Sequence, residues 1–345
     1  ITSCGGISNP GSDANLAAAA LRPDGRILLV GYVGSHFVGT TRKGTAYMIM
    51  KQLMPDGSPD ESFGQKDGGL VFGNLSGASS VALRPDGRFV VGGFKQLSGT
   101  GPGDDGVLIG FTSDGRSDPS FAGGGSVLIP GAGRRNSYLL DVNVLSNGGI
   151  LAAGSMQDRA LVIKFRASGT LDRSFGKRGR VLEDAGPRGC RCSIARSMDR
   201  DNKGRIIVAG QVNSVKLPGA SYSITMRLLK DGQLDRSFGS GGIVRFYATP
   251  RAKPYATNLY DVTVDSEGGI WATGNAGLVT GKSREAVSVR YLPNGEKDRK
   301  FTLHLGDAST GWQAFRAGRN IYLSGRFNRG DSESFYLRRY KARNR

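Results

Sequence analysis

The sequence predicts an all-β protein: a six-bladed β-propeller of four-stranded antiparallel blades, its ring closed by an N-terminal strand that completes the last blade. Three observations predict this fold. Two short phrases recur along the 345 residues, each repeat reads as short strands, and 54 glycines supply many tight turns. We expect a single domain over residues 1–345, with repeats at approximately 14–73, 75–130, 134–184, 192–247, 255–306 and 308–345.

The first phrase joins two strands through a tight turn. It reads LRPDGRILLVG at 21–31 and LRPDGRFVVGG at 83–93. Weaker copies are VLSNGGILAAG at 144–154, MDRDNKGRIIVAG at 198–210, VTVDSEGGIWATG at 262–274 and AFRAGRNIYLSG at 314–325. In x-P-D-G, Pro presets φ, Asp bonds back to its own backbone, and Gly takes the positive φ that folds two strands together. Gly25 and Gly87 are therefore turn glycines, not part of a phosphate-binding loop.

The second phrase follows each of the first five copies and carries a Phe. It reads PDESFG at 59–64, SDPSF at 117–121, LDRSFG at 171–176 and 234–239, and EKDRKF at 296–301. We expect its Asp residues to cap a turn and its Phe residues to fill the seam between neighbouring repeats. A catalytic role for these Asp residues is disfavoured, because a group found at the same place in every repeat serves the repeat.

Each repeat is predicted to supply four strands. In the second repeat these are 79–83, 88–94, 107–111 and 126–130, which alternate or run apolar and β-branched between Gly-rich turns. Four-stranded units of this length cannot bury both faces alone. They therefore favour a β-propeller over an open solenoid.

The paired phrases resemble the delta-60 repeat family of bacterial surface and secreted proteins, and VDSEGGIWATG resembles an NHL-type propeller strand pair. The resemblance covers nearly the whole chain and is most specific in the first, second and fourth repeats. In the fifth, Lys300 stands where the phrase has Ser, and the sixth repeat stops before the Phe phrase. The resemblance implies secretion or surface display.

The sixth repeat supplies three predicted strands, at about 312–315, 320–325 and 334–340, before the chain ends. The stretch CGGIS at 4–8 resembles GGIV at 241–244, which we predict as an outermost strand. We therefore predict that residues 4–9 complete the last blade, which would leave no open sheet edge.

The net charge of +18 predicts attraction to polyanions, with a solvated basic surface as the alternative interpretation. We predict a binding face on the longer loops, for a protein partner or an anionic extracellular polymer. Nucleic acid is disfavoured, since no basic tail or interleaved aromatic run is present. The candidate binding residues are Arg42, Lys43, Lys95, Arg134, Arg135, Arg188, Arg191, Lys216, Arg251, Lys253, Lys282 and Arg284.

The central channel is the other candidate site. Asp141 and Asp261 occupy matching positions that we place at the start of their inner strands, and Trp312 lies near an inner strand. Two carboxylates of this kind form either a catalytic or metal-binding pair or two separately capped side chains. The main alternative to a binding module is thus an enzyme of hydrolase or lyase type, with or without a metal ion. Against it, the chain carries only His36 and His304 and none of the common catalytic motifs, and we predict no cofactor or bound metal.

The three cysteines are too few for a disulfide scaffold. Cys190 and Cys192 form either a strained local disulfide or two free thiols. The residues around Cys4 also resemble a bacterial lipobox, but Ile1 to Ser3 precede it, so an unmodified Cys at a strand edge is favoured over a lipid anchor. No apolar run is long enough for a transmembrane helix, and we predict a secreted or surface-displayed protein whose oligomeric state is open.

Overall fold

The computed structural model is built almost entirely of β-strands. It describes residues 14–33, 36–38, 41–43, 47–64, 69–72, 77–95, 104–131, 136–186, 190–214, 220–246, 255–278, 284–304, 309–329 and 332–341. Within these ranges the one helical element is a single 3-10 turn at Phe121–Gly123. The chain divides into two compact units, Ile1–Ala152 with Lys164–Asp172, and Ala153–Ile163 with Arg173–Arg345.

The first compact unit begins with two four-stranded antiparallel sheets. The first contains β1 (Ala14–Leu21), β2 (Ile27–Val33), β5 (Tyr47–Leu53) and β6 (Gly69–Phe72) in that order, with the hairpin β3 (His36–Val38) and β4 (Thr41–Lys43) beside it. The second contains β7 (Gly77–Leu83), β8 (Phe89–Lys95), β9 (Asp105–Phe111) and β10 (Ser126–Ile129). The bounds of all four strands agree with the prediction for the second repeat to within two residues.

A third four-stranded sheet runs β11 (Ser137–Val144), β12 (Ile150–Met156), β13 (Arg159–Phe165) and β14 (Arg180–Glu183). The boundary between the compact units falls within β12 and β13. Strand order again follows chain order. This is the meander that a propeller blade requires.

The second compact unit holds the remaining repeats. The fourth repeat contains β15 (Cys190–Arg200), β16 (Ile206–Ser214), β17 (Ser221–Leu228) and β18 (Ile243–Phe246). The fifth repeat contains β19 (Tyr255–Val264), β20 (Ile270–Leu278), β21 (Arg284–Tyr291) and β22 (Lys297–His304). One parallel bridge, Ser221 to Ala256, joins these two sheets. The sixth contains three strands, β23 (Ser309–Ala317), β24 (Asn320–Arg329) and β25 (Ser332–Lys341), as predicted. Residues 4–9, the predicted closing strand, lie outside the described residues.

The Phe of the second phrase fills the seam between repeats, as predicted. Four of the five rings are buried against the turn glycine of the following repeat, where an added Cβ would lie 2.6 to 3.0 Å from the ring. The pairs are Phe63 with Gly115, Phe121 with Gly169, Phe175 with Gly232 and Phe238 with Gly295. Phe301 instead packs between Trp271 and Tyr340, with ring centroids 4.5 and 5.0 Å away. The phrase therefore joins repeats by burying one aromatic ring at each junction.

The Asp of the same phrase caps its turn, also as predicted. Asp235 accepts hydrogen bonds from the backbone nitrogen and hydroxyl of Ser237, and its other oxygen accepts from Arg227 Nε at 2.8 Å. Burial would raise the pKa of Asp235, but these hydrogen bonds and the Arg227 charge outweigh it and lower that pKa. Asp60 and Asp118 hold Ser62 and Ser120 in the same way. These three carboxylates therefore serve to stabilise the turns of the repeat.

The first strand of at least five repeats carries a β-bulge at the same place. The register shifts between Leu16 and Ala18, Ala78 and Ser80, Ala195 and Ser197, Leu259 and Asp261, and Gly311 and Gln313. The extra residues are Ala17, Ser79, Arg196, Tyr260 and Trp312. A bulge leaves its extra residue unpaired in the ladder and redirects its side chain.

The glycine that ends the first phrase makes room for this bulge. In five repeats, a Cβ on this glycine would overlap the carbonyl oxygen two positions before the extra residue. The overlapping pairs are Gly31 with Asn15, Gly93 with Gly77, Gly210 with Ile194, Gly274 with Asn258 and Gly325 with Thr310. None of these glycines has a positive φ, so close backbone approach is the reason for glycine here.

Candidate functional site

The structure describes the side chain of only one predicted loop-face residue, Lys95, which is half-buried at the end of β8. For four others the structure describes the backbone but not the side chain. These are Arg42 and Lys43 in β4, Arg191 in β15 and Arg284 in β21. The remaining seven lie outside the described residues: Arg134, Arg135, Arg188, Lys216, Arg251, Lys253 and Lys282. Their convergence into one basic face stays a prediction.

The described residues show a different candidate site, on the inner strands of the second compact unit. We name Arg196, Tyr260 and Trp312 the bulge row, because each is the extra residue of its strand's bulge. In the first compact unit the corresponding residues are the small Ala17 and Ser79. The shared backbone feature therefore presents a cation and two large aromatic rings in three successive repeats.

Neighbouring bulges are held side by side by hydrogen bonds between the inner strands. Asp261 accepts from Ser197 Oγ of β15 at 2.5 Å and from the backbone nitrogen of Ala314 of β23 at 2.9 Å. Asp261 also accepts from the backbone nitrogen of Val262. One carboxylate thus connects the strands that carry all three members of the bulge row.

Arg196 is the charged member of the bulge row. Its guanidinium carbon lies 5.1 Å from the centroid of the Tyr260 ring, and its Nε donates to Gln211 Oε1 at 2.8 Å. Gln211 in turn donates to Asn213 Oδ1 at 2.9 Å, which holds the amide in place. No carboxylate among the described residues pairs with Arg196, and burial lowers its pKa. The group is a positioned cation without a described counter-ion.

Trp312 is the most exposed member of the bulge row. Half of its surface is open (50% exposed), and the guanidinium carbon of Arg326 lies 5.5 Å from its ring centroid. The open part of this ring is available to stack against a flat ligand beside a positive charge.

Asp141 and Asp261 lie within their strands rather than at the strand starts, because β11 and β19 begin at Ser137 and Tyr255. This corrects the placement expected from sequence. Asp141 accepts from Ser80 Oγ at 3.1 Å, the counterpart of the Ser197 bond to Asp261. Burial is the largest influence on Asp261 and raises its pKa to about 6, despite the three hydrogen bonds that it accepts.

Sequence reasoning named Trp312 and Asp261 but missed Arg196 and Tyr260. A signal was present: each extra residue stands 13 or 14 positions before the glycine that ends the first phrase. The role of that glycine as space for a bulge required the structure.

Two features are absent from the described part of the chain. No group of three or more His, Cys, Asp or Glu residues there is arranged to hold a metal ion. No helix there is long and apolar enough to cross a membrane.

The chain is similar to a known propeller family. The family model described as "Domain of unknown function (DUF5122) beta-propeller" matches residues 22–63 and 204–238. Both matched segments run from a first-phrase turn to a second-phrase Phe. With the four-stranded antiparallel sheets, this match identifies an all-β protein of β-propeller repeats. No curated protein matches the sequence.

Solved structures are similar to this chain at low identity. A polysaccharide lyase, Uly1, is 12% identical with a TM-score of 0.50, over 95% of this chain and 81% of the lyase. A glucose dehydrogenase is 10% identical with a TM-score of 0.45, over 91% of this chain and 96% of that one. Prolyl oligopeptidase B from Galerina marginata is 12% identical with a TM-score of 0.43; the match covers 95% of this chain but 40% of the peptidase. At these identities the lyase supports the fold alone.

Proposed function

We propose that this protein is a non-catalytic binding propeller, secreted or displayed at the cell surface, that holds an anionic extracellular polymer or an acidic protein partner. The observation that carries the proposal is Arg196, a cation fixed by Gln211 and Tyr260 with no described carboxylate opposite it. The excess of 47 Lys and Arg over 29 Asp and Glu adds a long-range attraction for the same class of ligand.

A binding role is favoured over catalysis by the state of Asp261. A carboxyl group with a pKa raised to about 6 beside a candidate site is a usual sign of a general acid or base. Here, however, both oxygens of Asp261 accept hydrogen bonds, from Ser197, Val262 and Ala314, and these bonds connect strands. The group is engaged in structure, so the lyase activity of Uly1 is not assigned to this chain.

For the architecture, we propose a six-bladed ring of the delta-60 repeat type, closed by residues 4–9 as the fourth strand of the last blade. The support is that the sixth sheet has three strands among the described residues, whereas the first three sheets have four each. Deleting residues 1–10 should lower the melting temperature by about 5 °C or more, because an unpaired edge of the last sheet is left open. An unchanged melting temperature would rule out this closure.

Salt-dependent retention tests the binding function. The protein is applied to immobilised heparin, alginate, teichoic acid and single-stranded DNA and eluted with a salt gradient. We expect at least one polymer to retain it above about 0.15 M salt, where long-range attraction between exposed charges is largely screened. Release from every polymer together at low salt would show that the positive charge is only a solvated surface. It would overturn the assignment to an anionic polymer.

A further inference from the structure

We propose that the bulge row of Arg196, Tyr260 and Trp312 is a subsite for an acidic sugar residue of a polysaccharide. In this arrangement Arg196 pairs with the carboxylate or sulfate of the sugar, and the Trp312 ring stacks against the sugar ring. The inference rests on the proposed function and names the ligand class and the residues that recognise it.

The first step concerns the charge. Arg196 uses Nε for Gln211 and its planar face for Tyr260, and its terminal nitrogens have no described partner. A guanidinium in this state presents a planar pair of donors, which matches a carboxylate or sulfate in a two-point contact. Because both of its other contacts are with fixed groups, little side-chain freedom is lost when the anion binds.

The second step concerns the aromatic rings. Trp312 keeps half of its surface open, and neither its indole nitrogen nor the Tyr260 hydroxyl has a described hydrogen-bond partner. The flat apolar ring suits the C–H face of a pyranose, while the two donors suit hydroxyl and ring oxygens. Asp261 ties β19 to β23, so Tyr260 and Trp312 occupy equivalent positions on neighbouring strands.

The third step separates sugar from nucleic acid. The acceptors near Arg196 are engaged: Gln211 Oε1 accepts from Arg196, Asn213 Oδ1 from Gln211, and Asp261 from Ser197 and two backbone nitrogens. What the bulge row offers is therefore mainly donors and aromatic faces. A ligand rich in acceptors, such as an acidic sugar, matches this set better than nucleobases do, because their exocyclic amines would find only the Tyr260 hydroxyl as an acceptor.

The test is calorimetric titration of the whole protein with four probes. These are an alginate tetramer, its carboxyl-reduced neutral form, a heparin tetrasaccharide and an oligodeoxyadenylate of eight nucleotides, whose bases carry exocyclic amines. We expect binding of the alginate tetramer, the heparin tetrasaccharide, or both, with the stronger of the two identifying carboxylate or sulfate. The neutral tetramer should bind about tenfold more weakly, because the charge-assisted contact is lost.

Matched variants locate the site. Arg196→Gln and Trp312→Ala should each weaken the acidic probe about tenfold or more, and Arg196→Lys should recover part of the loss, since it keeps the charge without the planar fork. The controls are Arg319→Gln, at the exposed turn between β23 and β24, and Phe335→Ala, whose ring is 78% exposed on β25. Both controls should bind as the unmodified protein does, and melting temperatures confirm that every variant is folded.

The remaining outcomes separate this inference from the proposed function. If Arg196→Gln and Arg319→Gln bound the acidic probe with equal affinity, the proposed site would be wrong. The proposed function would still hold if the unmodified protein were retained by an immobilised polymer. Tighter binding of the oligodeoxyadenylate than of either acidic oligosaccharide, lost in Trp312→Ala, would overturn the sugar assignment. Failure of both acidic oligosaccharides to bind would overturn the inference, and failure of every immobilised polymer as well would overturn the assignment of the function to an anionic polymer.

Discussion

Replacing Gly274 with Ala should destabilise the protein by about 3 kcal/mol or more, at the upper end of what overpacking costs. The added Cβ would overlap the carbonyl oxygen of Asn258, which belongs to the bulged strand β19. Neither partner can yield easily, because Gly274 is buried in the ladder with Leu259 on one side and Val287 on the other. The free energy of unfolding is measured by urea denaturation followed by circular dichroism.

Gly124→Ala is the matched control for this substitution. Gly124 has an extended φ of −177°, and no atom lies within 4 Å of the Cβ that Ala would add. Its change in unfolding free energy should stay within about 0.5 kcal/mol. A Gly274→Ala protein as stable as Gly124→Ala would show that the bulge does not need the glycine. Because Tyr260 is the extra residue of the same bulge, Gly274→Ala should also weaken binding of the acidic oligosaccharide.

Phe238→Ala should lower the free energy of unfolding by about 3 to 5 kcal/mol, the usual cost of deleting a buried aromatic ring. The ring is fully buried, and the Arg227 guanidinium carbon lies 4.6 Å from its centroid. The ring also packs on Gly295 in the turn of the fifth repeat. The backbone nitrogen of Gly239 donates a hydrogen bond to Asn294 O in the same turn. Its removal leaves a cavity at the junction of two repeats.

Phe335→Ala serves as the comparison for Phe238→Ala, since Phe335 is the same residue type but 78% exposed. It should change the unfolding free energy by less than about 0.5 kcal/mol. Both are measured by urea denaturation under identical conditions. If the two variants proved equally stable, the second phrase would not join repeats through its Phe.

The features predicted correctly from sequence are those whose causes are local. The four strands of the second repeat, the three of the sixth, the capped Asp residues and the buried Phe residues all follow from turn chemistry and strand periodicity over a few residues. The family match to residues 22–63 and 204–238 falls on the same two phrases. A repeated motif makes such local features easier to recognise, because each copy shows the same turn residues and the same strand periodicity.

The candidate site was harder to predict, since its causes are not local. Nothing adjacent to Arg196 in sequence shows that Tyr260 lies against it or that Gln211 holds it. The predicted basic face drew on loop composition, and composition does not determine which charges meet. For Asp261 the sequence left open a catalytic or metal-binding pair with Asp141 or a separately capped side chain. The structure shows its oxygens accepting hydrogen bonds from two other inner strands.

The sequence by itself determined the repeat, its turns, its strand count and the residues that join one repeat to the next, because these depend on backbone preferences and burial within about 60 residues. Only the tertiary structure showed which side chains the bulges of the inner strands expose. The bulge exists because a glycine on the second strand admits a carbonyl oxygen of the first, and the side chain it exposes is free to differ between repeats. Ala17 and Ser79 occupy that place in the first compact unit, and Arg196, Tyr260 and Trp312 occupy it in the second.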